Sequence, residues 1–188
     1  MKPRQEHIVN TSIKLFNQHG YFRTTMADIN RAAGVSKGVF YHYFPEGKKE
    51  LMRYVLKMTL VKQREFEEHL FNTNRTVDAV HLLIKTLRQE IVAGNDTSVH
   101  VGVVILEMAE DHSLDAATVE TCREIFELTE HMIQMSLMAE GLPEVVAIQK
   151  SQMLNLSLKG ALSIGISALV VDYLDVVDRT VETILDRS

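Results

Sequence analysis

The 188 residues are 46% apolar and 24% charged, the balance of a globular protein with a real core, and they include three prolines, nine glycines and one cysteine. A single cysteine, Cys122, excludes an internal disulfide framework and a cysteine-built zinc site. The net charge of −5 hides an asymmetry, since residues 1–57 carry ten Lys/Arg against four Asp/Glu and residues 58–188 carry ten against twenty-one. A basic head on an acidic body is the footprint of a polyanion-binding module joined to a regulatory domain.

The segment Met1 to Asn10 is polar and charged and lacks the apolar core of a secretory leader. The longest apolar run, Gly160 to Val171, is closed by Lys159 and Asp172, well short of the roughly 20 residues that cross a bilayer. A soluble, cytoplasmic protein with no membrane partner is expected, with Cys122 a buried or idle thiol rather than a redox sensor.

Nearly every segment carries helical periodicity, and about nine helices are predicted: an all-α chain. In the first, Ile8, Val9, Ser12, Ile13, Leu15 and Phe16 share one broad face. Gly20 is expected to end it in the left-handed conformation, with Tyr21 folding back on Phe16 as in a Schellman ending. The second opens at Thr25, where Thr-x-x-Asp with Asp28 makes a capping box, and runs from Met26 to Ala33 before Gly34. Ser36 is a good N-cap for a short third helix, Lys37 to Phe44. After Pro45 and Gly47 a long fourth helix reaches about Phe71. A stripe of Val77, Val80, Ile84, Leu87 and Ile91 predicts the fifth, and the sixth covers about Thr97 to Ala109. The seventh runs from near Leu114 to Glu140 and closes at Gly141. Pro143 opens an eighth that extends to about Leu174, and Val177, Val181, Ile184 and Leu185 mark the ninth.

The chemistry is concentrated between Thr25 and Lys48. Two short helices joined by Gly34-Val35-Ser36 form a helix-turn-helix, with Ile29, Ala33, Val35, Phe40 and Phe44 directed inward. The other face of the third helix offers Lys37, Gly38, Tyr41 and His42, the end a recognition helix presents to the major groove. Lys37 reaches a phosphate or a guanine edge, Gly38 admits the backbone close to a base, and Tyr41 and His42 donate to phosphate. Amides at the starts of the second and fourth helices, beside Thr25 and Lys48, are placed to clamp the backbone. Ser36 completes the candidate DNA-binding set.

Ile8-Val9, Leu15-Phe16, Gly20-Tyr21, Thr25, Ile29, Ala33-Gly34-Val35-Ser36-Lys37-Gly38, Tyr41, Tyr43-Phe44 and Lys48-x-x-Leu51 follow one another in a recognisable order. Over residues 6–51 the chain resembles the TetR family of transcriptional regulators. The resemblance implies an all-helical homodimer that binds a palindromic double-stranded DNA operator, usually as a repressor released by a small molecule. It implies a helix-turn-helix domain over 1–47 and an effector-binding and dimerisation domain over 48–188. Two departures stand out. Asn30 occupies a close-packed position where the family usually has alanine, and the Phe44-Pro45-Glu46-Gly47-Lys48 turn is one residue longer than the commonest form. That turn resembles a subgroup that includes drug-responsive repressors, which points to a drug- or flavonoid-like effector.

For the body, the small residues Ser157, Ala161, Gly165 and Ala168 form a ridge at helical spacing. With Val177, Val181 and Ile184 they predict a four-helix dimer interface, two helices from each chain. Burial of those faces within one chain is the alternative. A largely apolar effector pocket is expected among the fourth to eighth helices, near Met108, Met132, Met135, Met138 and Met153. Glu107, Phe126, His131 and Asn155 are further candidate lining residues, although a solvated helix end is the favoured reading of Glu107, since buried unpaired carboxylates are rare.

Catalysis is unsupported. The eight histidines show no i, i+4 pair and no His-Glu-x-x-His, and neither a phosphate-cradling glycine loop nor a nucleophile elbow occurs, so no cofactor and no metal are expected. A TetR-fold carrier that has lost DNA binding is a second reading, disfavoured by Lys37, Lys48 and the basic head. A ligand-gated activator shares every residue with a repressor.

Overall fold

A computed structural model of the chain describes residues 2–93, 114–163 and 167–186, the side chains of 167 and 168 apart. Among these residues every regular element is a helix: α1 (Pro3–His19), α2 (Met26–Ala32), α3 (Lys37–Tyr43), α4 (Lys48–Thr73), α5 (Thr76–Ala93), α6 (Ala116–Ala139), α7 (Glu144–Leu162) and α8 (Ser167–Leu185). The helix expected over 97–109, with Glu107 and Met108, lies outside the described residues, and so does Gly165. None of the described helices is long and apolar enough to cross a membrane.

The described residues separate into two compact units, 2–60 with 114–122 and 61–93 with 123–186. Both α4 and α6 begin in the first unit and end in the second. The first unit extends past residue 47 because Leu51, Met52, Val55 and Leu56 on α4 are all fully buried.

In the first unit α1 buries Ile8, Val9, Ser12, Ile13 and Phe16, and the Ser12 hydroxyl is satisfied by donating to the Ile8 carbonyl at 2.7 Å. Gly20 departs from expectation. Its φ of 83° needs glycine, but its ψ of 158° is not the left-handed helical value. The carbonyls there are taken by a side chain instead: Thr24 Oγ1 donates to Gly20 O at 2.7 Å and to Leu15 O at 3.3 Å. Tyr21 still packs on Phe16, ring centroids 5.5 Å apart. The Schellman ending falls one helix later. At Gly34 (φ 60°) the Val35 N–H donates to Asn30 O at 3.0 Å and the Gly34 N–H to Arg31 O at 3.3 Å.

In the second unit one apolar core joins α4 to α8, with Leu70, Phe71, Val80, Leu83, Ile84, Ile133, Leu137, Leu154, Leu158, Leu174 and Val181 at its centre. Glu140 caps α5 by accepting from the Thr76 N–H at 2.6 Å and the Thr76 hydroxyl at 2.8 Å. Lys150 on α7 donates to the carbonyls of Ile184 and Asp186 at 2.6 Å each, which satisfies the open end of α8.

The C-terminal half corrects the expected boundaries. Pro143 stands just before α7 rather than inside it, and α7 ends at Leu162. Ser163 caps it, its N–H and its hydroxyl both donating to Lys159 O, at 3.0 and 2.7 Å. The next helix then starts at Ser167, well before Val177. Ser157 and Ala161 therefore lie on α7 and Ala168 on α8, so the small residues do not form one ridge on one helix. Moreover Ala161, Val177 and Val181 are buried within the chain itself, and Ile184 packs partly against the same core. The apolar side chains that do face outward are others: Val145, Met153 and Leu156 on α7, and Leu169, Tyr173 and Val176 on α8.

A Cβ added at Gly34 would meet nothing within 4 Å, so space does not demand glycine there and the backbone conformation does. Gly34→Ala is expected to lower stability by about 1 kcal/mol and Gly34→Asn by less, read from urea denaturation midpoints. Equal losses for the two variants would show that packing, not φ, sets the requirement.

Candidate nucleic-acid interface and a buried polar cluster

The helix-turn-helix is positioned from below by aromatic burial. Phe40 and Phe44 are 0% and 1% exposed, their rings 5.3 Å apart, and Tyr54 from α4 meets Phe44 edge-on at 5.9 Å. With that face of α3 fixed, Lys37, Gly38, Tyr41 and His42 are all exposed on the other. Ser36 caps α3 by accepting from the Val39 N–H at 3.3 Å. Thr25 Oγ1 accepts from the Asp28 N–H at 3.2 Å while Asp28 Oδ2 accepts from the Thr25 N–H at 3.1 Å, closing the expected capping box. The Thr25 hydrogen bonds, side chain first, hold the Asp28 carboxyl below its ordinary range. Gly47, with φ 76°, is buried under Tyr41; a Cβ there would lie 3.7 Å from the ring. That contact orients Tyr41 outward beside Lys37, whose ammonium stands 5.8 Å from the ring centroid.

Lys48 is not an open hand toward solvent. Its ammonium donates to the carbonyls of Tyr21 (3.0 Å), Thr24 (3.2 Å) and Phe22 (3.5 Å), and lies 4.3 Å from the Tyr21 ring centroid. Its position braces the start of α4 against the α1–α2 connection. Asn30 keeps its departure local. Its backbone carbonyl serves the Gly34 turn, while its Oδ1 is buried without a protein partner.

A second brace was not visible in sequence. Arg53 on α4 holds Glu46 at 2.6 Å and Asp115 at 2.7 Å, and Lys49 stands 3.5 Å from Asp115. Asp115 is also the N-cap of α6, accepting from the Thr118 N–H and hydroxyl at 2.8 and 2.7 Å. Sixty-two positions separate Arg53 from its partner, so no local pattern announces the pair.

Of the pocket candidates that are described, Phe126 and Asn155 come together and His131 and Met135 do not. The latter two sit on the exposed face of α6, because the helix turns Ile133 and Leu137 into the core instead. Asn155 Nδ2 donates to Phe126 O at 3.1 Å and to Glu130 Oε2 at 3.2 Å. Beside them is a buried acid that sequence reasoning passed over. Glu67 on α4 is 2% exposed, and its Oε1 accepts from Thr129 (2.8 Å) and Gln63 (3.0 Å). Burial pushes its carboxyl up, against the pull of those hydrogen bonds. Lys159 on α7 is the matching cation, its ammonium 5.6 Å from the Phe126 ring centroid. Burial pushes it down while the charge of Glu67 opposes the shift. Glu67 Oε2 and Asn155 Oδ1 are buried with no protein partner. Cys122 is also buried, and desolvation pushes its thiol up to about 11, far from the reactive thiolate of a redox sensor. Among the described residues no three His, Cys, Asp or Glu side chains gather as a metal site would require.

Known proteins match both the helix-turn-helix end and the larger C-terminal part of the chain. Residues 8–55 match the model of bacterial regulatory proteins of the tetR family, and residues 76–180 match the LmrA/YxaF-like transcriptional regulator C-terminal domain. The uncharacterized HTH-type transcriptional regulator YxaF of Bacillus subtilis is 26% identical over 165 residues, covering 87% of this chain and 85% of that protein. The probable acrEF/envCD operon repressor of Escherichia coli strain K12 is 33% identical over 94 residues, covering 50% of this chain and 40% of its own length. The crystal structure of regulatory protein TetR from Rhodobacter sphaeroides shares the fold with a TM-score of 0.79 at 17% identity, over 95% of this chain and 96% of that one. All are named as regulators and none as an enzyme.

The Asp115 cap carries a pH signature. The Thr118 hydroxyl, then its N–H, then Arg53 hold the carboxyl well below its ordinary value of 3.8. A depressed carboxyl contributes stability that is fully present above its unfolded value and is lost as pH falls through the folded one. Asp115→Asn is expected to lose on the order of 1 kcal/mol at neutral pH. The gap to wild type should close only well below pH 3.8. Urea denaturation at neutral and strongly acidic pH measures it, and a pH-independent gap would rule out the linkage.

Proposed function

Because the chain belongs to the TetR family of bacterial regulatory proteins, we propose that it is a cytoplasmic repressor that binds a palindromic operator as a homodimer and is released by a small-molecule effector. The observation that carries DNA binding is the outward set Lys37, Gly38, Tyr41 and His42 over the buried pair Phe40 and Phe44. The repressor sign is supported by the kinship with the acrEF/envCD operon repressor.

In this mechanism α3 of each subunit enters a major groove, the two grooves about 34–36 Å apart along the duplex. Lys37, Tyr41 and His42 meet phosphate or base edges, and Gly38 lets the backbone approach. Thr25 and Ser36 present the helix starts to phosphate. Lys48 contributes by holding the first turn of α4 in place for that contact. The effector acts on the second unit, and α4, continuous from Lys48 to Thr73, is the covalent route back to the reading head. A ligand moves the equilibrium only as far as it prefers one state.

The outward apolar set on α7 and α8 supplies the subunit contact. Met153 and Leu156 on one helix and Leu169, Tyr173 and Val176 on the other expose large side chains that a second copy would cover. This face replaces the one built on Ala161, Val177 and Val181.

Two experiments test these statements. In fluorescence titration of palindromes near the gene, Lys37→Ala/Tyr41→Ala is expected to lose on the order of 1–3 kcal/mol of binding and to reduce the salt slope by about 1. If wild type at low salt binds no better than the double variant, the DNA-binding reading fails and a carrier is favoured. In sedimentation experiments Leu156→Asp should give a folded monomer, whereas Val181→Asp, in the core, should unfold the chain. A folded Leu156→Asp dimer would move the interface elsewhere.

A further inference from the structure

We infer that Glu67, Asn155 and Lys159 form the polar end of the effector site and select an uncharged ligand with at least two N–H or O–H donors and one acceptor, the pattern of a urea, a primary amide or a diol. This rests on the effector-responsive reading above.

Three helices of the second unit supply the cluster: Gln63 and Glu67 on α4, Phe126, Thr129 and Glu130 on α6, Asn155 and Lys159 on α7. Most of its polar atoms are matched within the protein. Gln63 Nε2 donates to Glu67 Oε1 (3.0 Å), to Thr129 Oγ1 (3.2 Å) and to Ile125 O (3.4 Å), and Asn155 Nδ2 has two acceptors. The two that are not matched are both acceptors, Glu67 Oε2 and Asn155 Oδ1, and their residues are 2% and 7% exposed. Buried polar atoms are almost always paired, and those that are not tend to mark function. A ligand that pairs with both must offer two donors.

Charge narrows the class. The ionisable pair is a buried acid, Glu67, and a part-buried base, Lys159, and desolvation disfavours the charged form of each. Glu130 at the margin is half-exposed and so screened by solvent. A ligand with a net charge would add a charge without a counterion to a low-dielectric site. An uncharged one leaves the pair balanced and gives the Lys159 ammonium an acceptor. The Phe126 ring next to Lys159 is an apolar surface for the body of such a molecule.

The test uses the full chain and three probes on one ring scaffold, phenylurea, benzamidinium and benzoate, titrated by calorimetry. Wild type is expected to prefer phenylurea. Glu67→Gln keeps an acceptor for Thr129 and Gln63, puts an amide donor where Oε2 stood, and leaves Lys159 unopposed. Its preference should move toward benzoate by on the order of tenfold. Lys159→Gln leaves Glu67 unopposed and should move the preference toward benzamidinium by a similar factor. Both are gains of binding, which a misfolded variant cannot produce. No binding of any of the three, a charged probe bound by wild type as tightly as phenylurea, or variants that keep the wild-type order would each overturn the assignment. Operator release, followed by fluorescence anisotropy, reads the regulator proposal separately. The swap without release upholds the site and removes the effector response; release by a compound whose affinity neither substitution alters keeps the response and overturns the site.

Discussion

The reading head depends on one cation. Between α1 and α2 the chain turns through residues 20–24, and the carbonyls of Tyr21, Phe22 and Thr24 lie outside both helices. Lys48 comes from 24 to 27 positions further on and puts its ammonium on those of Tyr21, Phe22 and Thr24. Hydrogen bonds from a charged donor are stronger than neutral ones, and the Tyr21 ring face adds a further attraction. Because α2 and α3 are strung between the two ends of this brace, it fixes where they stand. Gly47, immediately before Lys48, is buried against Tyr41. One turn of chain thus anchors the helix and aims a side chain of the proposed DNA face. A lysine that looks in sequence like a contact with phosphate acts first as the part that holds the contacts in place.

What was legible in sequence is what closes within about one helical turn. The Thr25–Asp28 box, the Ser36 cap and the positive φ at Gly34 each need only residues three to five apart, and their chemistry is unambiguous. Gly20 shows the limit of that logic. Its positive φ is as expected, yet its N–H donates to Phe16 O while the Thr24 hydroxyl takes Leu15 O and Gly20 O in place of a Schellman pair, and nothing in the spacing ranks the two solutions. Arg53 with Asp115 and Glu67 with Thr129, each 62 positions apart, have no local signature at all. Glu67 sits in Lys62-Gln-Arg-Glu-Phe-Glu-Glu-His69, a run with the look of a solvated helix face. Only the packing of α6 against that face reveals that one of its acids is inside.

The small-residue ridge expected over Ser157 to Ala168 is interrupted for a definite reason. Counting small residues at helical spacing from Ser157 to Ala168 assumes one unbroken helix, and that helix ends at Leu162. Likewise a stripe of Val177 and Val181 says that one side of α8 is apolar without saying what covers it. In the folded chain α5 and α7 cover it, and the polar links His81–Asp178 and Arg88–Asp175 fix α5 beside α8. Leu169, Tyr173 and Val176, on the other side of the same helix, are then left outward. An amphipathic pattern identifies the core face first, and the partner face is what remains apolar after the core has been filled.

An apolar trio in place of Glu67, Asn155 and Lys159 would pack three helices with no orphaned oxygen and no desolvated charge, so stability alone does not explain these residues. Each is individually costly, and two of them offset each other only as a pair. Such a pair discriminates by charge: adding either sign of ligand, or removing either partner, breaks the balance in a way the interior cannot screen. Selectivity for an uncharged donor therefore follows from the arrangement without any single strong contact. Glu67 lies on α4, the same helix whose first residue, Lys48, braces the α1–α2 connection.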